Sequence, residues 1–171
     1  NIDRLTYNDT QIQGISFDGT LYAGALTVRN LSVEDLAGAQ AKFTATVGDF
    51  ATQPTVKGAL DIRAEDLGRL SRLAALTLPV PPELLGTVAL TGTVDTDGNT
   101  MTVDVNLEAL GGSADVAGTF SGLGHTPIYD FALTLEHPQP GHLLAIFAAD
   151  GEASVTDLEA MEVAAKVKGG P

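Results

Sequence analysis

The chain of 171 residues contains no cysteine and no tryptophan, and aromatic residues make up only 5% of it. Without cysteine there is no disulfide framework, no thiolate metal site and no cysteine nucleophile. With so few aromatics, a stacking platform for sugars or a cage for cationic ligands has little to be built from. Basic residues are also scarce. Nine Lys and Arg stand against 22 Asp and Glu, a formal net charge of -13. Such a balance argues against nucleic acid or an anionic membrane surface as partner. The longest strongly apolar run, Leu143–Ala149, falls far short of the roughly 18 residues a membrane helix needs. The sequence opens Asn1-Ile2-Asp3 without an initiator Met, so the expectation is a piece of a longer protein, with any anchor or signal outside it.

What is present is alternation. Val88, Leu90 and Val94 alternate with Ala89, Thr91 and Thr93. Met101, Val103, Val105 and Leu107 alternate with Thr102, Asp104 and Asn106. Period two with one apolar and one polar side marks half-buried antiparallel strands. Asp97-Gly98 between them reads as the centre of a type I′ hairpin. That register would place Val94 opposite Met101, Leu90 opposite Val105 and Val88 opposite Leu107. Gly111-Gly112 offers a second turn, pairing Leu107 with Val116, Val103 with Phe120 and Ala109 with Ala114. Its weak point is Glu108 opposite Asp115, two like charges. A fourth strand carries Tyr129, Phe131, Leu133 and Leu135 on one face. Ile15 and Phe17, Leu26 and Val28, and Phe43 and Val47 read as strands ahead of the meander, and Met161, Val163, Ala165 and Val167 as one behind it.

Two segments break the period. Ala64–Leu76 spaces Leu67, Leu70, Leu73 and Ala74 as a helix does, with Glu65 and Asp66 in its first turn and Pro79, Pro81 and Pro82 beyond it. Pro140–Ala149 is a second short helix. Weak internal repeats lie near 24–29, 58–73 and 131–146. The expected fold is mainly β: an antiparallel meander of alternating strands forming a curved, open or half-closed sheet, with one or two short helices, in a single domain spanning 1–171.

Motifs for chemistry are few. Asp95-Thr96-Asp97-Gly98-Asn99 has oxygen side chains two apart, but an EF-hand loop counted from Asp95 would need Gly where Thr100 stands and Glu where Asn106 stands. Turn chemistry accounts for the same residues. His137 and His142 are five apart with no third ligand nearby, and read as loop or helix-cap residues rather than a zinc site. His125 lies in the loop Gly122–Pro127. Gly118-Thr119-Phe120-Ser121-Gly122 lacks the central Ser of a nucleophile elbow, and Gly122-Leu123-Gly124 lacks the third Gly of a dinucleotide loop. Arg63, Arg69 and Arg72 cluster around one helix, where Glu65, Asp66 and neighbouring acids can pair with them; the alternative reading is an anion or lipid-headgroup contact. No catalytic residue, metal ligand or cofactor site is expected, and the chain reads as non-enzymatic.

The apolar side must be covered by something. A sandwich or barrel covers it with protein. A curved open sheet covers it with acyl chains, and Val88, Leu90, Val94, Met101, Val103, Val105, Leu107 and Phe120 would then line the groove.

Phrasing adds a resemblance. Gly24–Leu31 (GALTVRNL), Gly58–Leu70 (GALDIRAEDLGRL) and Gly86–Val94 (GTVALTGTV), followed by Leu110-Gly-Gly-Ser113 and Gly118-Thr-Phe120, resemble the AsmA family of Gram-negative bacteria. The resemblance spans roughly Leu21–Leu135 and rests on structural phrases. It implies a β-rich periplasmic region of an inner-membrane-anchored protein linked to outer-membrane assembly and lipid homeostasis. It also implies kinship with repeated β-groove proteins of the TamB-like kind, thought to conduct phospholipid. The partners so implied are phospholipid acyl chains and the rest of the parent chain. The other reading is a closed β-sandwich for adhesion or protein interaction.

Overall fold

The computed structural model describes residues 1–7, 10–48, 55–65, 86–122, 127–141 and 159–170. Ten strands account for nearly all of them: β1 (Ile2–Tyr7), β2 (Thr10–Tyr22), β3 (Ala25–Leu36), β4 (Ala39–Gly48), β5 (Thr55–Ala64), β6 (Val88–Asp97), β7 (Thr100–Ala109), β8 (Gly112–Ser121), β9 (Ile128–His137) and β10 (Met161–Gly169). They form one antiparallel sheet in strict sequence order, with β1 and β10 at its two edges, so it does not close into a barrel. The meander and its openness agree with the sequence expectation. The two helices fall mostly outside the described residues. Ala64 belongs to β5, not to a helix, and among the described residues only Pro140 and Gly141 take helical backbone.

Turns set the register, and here the structure corrects both hairpins. Between β6 and β7 the central residues are Gly98-Asn99, and Val94 faces Val103, Leu90 faces Leu107 and Gly92 faces Val105. Gly98 has φ 57°, whereas Asn99 is not among the residues with positive φ. This suits a type II′ turn, which needs positive φ only at its first central residue, and it removes the need for Asp97 to adopt one. Between β7 and β8 the turn is Leu110-Gly111, with φ of 56° and 79°, as a type I′ turn demands. Leu107 therefore faces Ala114 and Val103 faces Gly118. The like-charge pair disappears: Glu108 meets Ser113, and Asp115 accepts a hydrogen bond from Asn106 Nδ2 at 2.8 Å. Both errors are slips of two residues, which leave every side chain on its own face.

The same turn geometry recurs at Ala23-Gly24 and Ala37-Gly38, each an L-residue at positive φ followed by Gly. Asp35 Oδ1 steadies the second by accepting the Gly38 N–H at 2.8 Å. Irregularities in β3 between Val28 and Leu31 and between Val33 and Leu36 realign its apolar residues with β4. Without these bulges the chain beyond each would turn its apolar side outward.

Packing is thin. The buried apolar residues among those described are Val28, Ala37, Ala39, Ala45, Ala64 and Pro140, and no large side chain is fully buried. Among the described residues each strand packs against its sheet neighbours and little else, as a one-layer sheet does.

Candidate functional site

The candidate site is the apolar face of this sheet. The registers align it in cross-strand rows from β4 to β10. One row runs Ala41, Ile62, Leu90, Leu107, Ala114, Leu135, Val163; the next runs Phe43, Leu60, Gly92, Val105, Val116, Leu133, Ala165. Beyond it lies Ala45, Gly58, Val94, Val103, Gly118, Phe131, Val167. Flanking these rows on the same side of their strands stand Ala64, Val88, Ala109 and Met161 at one end and Val47, Val56, Met101, Phe120 and Tyr129 at the other; with ordinary strand spacing and rise, these five positions along each of β4–β10 outline about 29 by 27 Å, on the order of 800 Å². The face continues into β3 and β2, where Leu31 stands opposite Phe43 and Phe17 opposite Leu31.

All eight residues singled out from the sequence share this face on three adjacent strands. Seven are half-buried, and Leu107 is 37% exposed. The sequence reading placed β9 and β10 in the fold but left Tyr129, Phe131, Leu133 and Leu135, and Met161 through Val167, out of the lining. Their alternation was the signal. Several are open to solvent: Leu133 is 37%, Val163 45% and Val167 50% exposed.

Glycines make room for rings, across strands at Gly118 and along β2 at Gly19. A Cβ at Gly118 would stand 2.5 Å from Phe131 Cδ1, and one at Gly19 2.6 Å from Phe17 Cζ. The rings lie in the hollows the glycines leave. Thr96 is the polar exception on β6, and its hydroxyl accepts the Val56 N–H at 2.6 Å, continuing the β5–β6 ladder past its last backbone pair.

The opposite face is polar and carries the charge. Lys57 Nζ pairs with Asp95 at 2.7 Å, Lys168 Nζ with Asp130 at 2.7 Å, and Arg63 with Asp61 at 3.5 Å. Arg69 and Arg72 lie outside the described residues. Arg29 grips Asp18 with two bonds, Nε donating at 2.8 Å and Nη2 to the other oxygen. That hydrogen bonding, and then the charge of Arg29, hold the Asp18 carboxyl below its ordinary value. Whatever the pair contributes is present above the ordinary aspartate pKa and is lost as pH falls through the lowered one. A carboxyl-carbon NMR titration should find the Asp18 midpoint lower than in the Arg29→Ala variant.

The acidic turn is explained by turn chemistry. Asp95 is taken by Lys57 and Asp97 closes the hairpin opposite Thr100. Melting temperature is therefore expected to be the same with and without EDTA; a clear drop would mean that the turn holds a metal. His137 closes β9 and is 5% exposed. Its Nδ1 accepts the Gln139 N–H at 3.0 Å, which leaves Nε2 to donate to the Leu110 carbonyl at 2.8 Å. His142 and His125 lie outside the described residues. Compared with protein-family models, curated proteins and solved structures, the chain finds no match.

Proposed function

We propose that this chain is a non-enzymatic lipid-handling module of the AsmA-like kind, part of a longer periplasmic protein anchored in the inner membrane, whose open apolar face holds phospholipid acyl chains. One observation carries the reading. An apolar face runs from β2 to β10, with large side chains exposed on it and no second layer among the described residues. Contiguous apolar patches on soluble monomers reach only about 300–600 Å², and larger ones mark binding surfaces. Acyl chains fit such a face because they need no hydrogen bonds from it. The polar face, bearing paired charges and threonines, stays in water.

Mass spectrometry of organic extracts from the purified protein tests this. Phospholipid in near-stoichiometric amount is the expected result. Protein free of lipid, and unable to take up an apolar dye without unfolding, would reject the groove. A sandwich used for adhesion would then be the better account, although all ten described strands belong to one sheet rather than two.

A further inference from the structure

The free edge of β10 is nearly self-complementary. Its apolar side reads Met161, Val163, Ala165, Val167, and its polar side Glu162, Ala164, Lys166, Lys168. Val163 and Val167 are about half exposed. Only β9 pairs with this strand among the described residues, so its outer backbone groups are unsatisfied by the sheet. Such an edge is a template for another strand. We propose that β10 pairs antiparallel with β10 of a second copy of this chain, with Ala165 facing Ala165 across a two-fold axis. In that register all nine residues pair. Val163 meets Val167 twice on the apolar side, and Glu162 meets Lys168 twice on the polar side. Lysines on an edge ordinarily deter pairing. Here they bar one slip: moving the strands two residues so that Lys166 faces Lys166 costs a like-charge contact, while the opposite slip pairs only seven residues and leaves Lys168 without Glu162. A two-fold axis normal to the sheet keeps both apolar faces on the same side, so the dimer would double that face. The pairing is independent of what the face binds.

β1 is the less suitable edge. It has only six residues, and Ile2 and Leu5 depart from period two. Nine-residue strand pairing buries less than a standard interface, so a weak dimer is expected, dissociating in the micromolar range or above. Sedimentation equilibrium over roughly 1–500 µM reads it. Glu162→Lys separates dimerisation from folding. Within one copy Glu162 faces Glu136, so the substitution relieves a repulsion there, while in the dimer it sets Lys against Lys168 twice. The expected result is an unchanged or raised melting temperature in dilute solution with dimerisation weakened by about tenfold or more. Adding Lys168→Glu should restore dimerisation, with a lower melting temperature because it removes the Lys168–Asp130 pair within each copy. Because the chain has no cysteine, Ala165→Cys should form a disulfide-linked dimer under mild oxidation, and Thr93→Cys, on a central strand, should not. A monomer throughout the range, a Glu162→Lys variant that dimerises as before, or open-ended polymers in place of dimers would each overturn the proposal.

Discussion

Val103→Asp is expected to strip acyl chains from the protein while the sheet stays folded. Val103 stands in the middle of the apolar face, between Val94 on β6 and Gly118 on β8, and is half-buried. The consequence of a carboxylate there depends on what covers it. Beneath a protein layer it would be an unpaired buried charge, which costs several kcal/mol and would unfold a domain of ordinary stability. On an open face it keeps part of its hydration, the cost falls to about 1–2 kcal/mol, and the melting temperature drops by roughly 3–8 °C. A bound acyl chain would nonetheless be repelled, since the charge would have to lose that hydration for the chain to lie against it. Leu133→Asp repeats the test at a site already 37% exposed, where the folding cost is smaller still. Extracts without phospholipid beside a near-normal melting curve would support the groove. Collapse of both variants would mean that protein covers the face.

How far the sequence discloses this face follows from what alternation can carry. Period two assigns sides. It therefore separates Val88, Leu90 and Val94 from Thr91 and Thr93 without any knowledge of partners. It is blind to slips of two residues, and both hairpins slip by two. Turn chemistry has to choose, and the deciding residues are unobtrusive. Gly98 takes the first central place of its turn, and at the next hairpin it is Leu110, not a second glycine, that takes positive φ. The clash of Glu108 with Asp115 in the rejected register was the legible hint. β1 escapes the pattern because Ile2 and Leu5 are three apart. In β3 the alternation is legible only at Leu26 and Val28, because bulges interrupt it on either side of Leu31 and Val33. The extent of the face was harder to read than its existence. That ten strands join one sheet, instead of dividing into two that face each other, depends on the order of pairing, which alternation does not encode.

Leu110 leads to the second large effect, at His137. A leucine at φ 56° is strained, since its side chain crowds the backbone in a conformation that glycine adopts freely. His137 reaches across from β9, opposite Met161 and beside Gly112, and its Nε2–H holds the Leu110 carbonyl. The Gln139 N–H fixes the ring from its other side. His137→Leu keeps much of the bulk but leaves both backbone groups without partners, at roughly 1–3 kcal/mol each when little water can reach them. A fall in melting temperature of about 5–15 °C is expected. His137→Gln can still donate to Leu110 but offers Gln139 a poorer acceptor, so its loss should be about half as large. If the imidazole holds the turn and does not merely fill space, its value depends on the strain it opposes. In a Leu110→Gly background the type I′ turn forms without help, and His137→Leu should then cost at least about 1 kcal/mol less, read from urea unfolding of the four proteins of the cycle. Equal losses in the two backgrounds would show that His137 is ordinary packing at the rim of the sheet and that the turn stands without it.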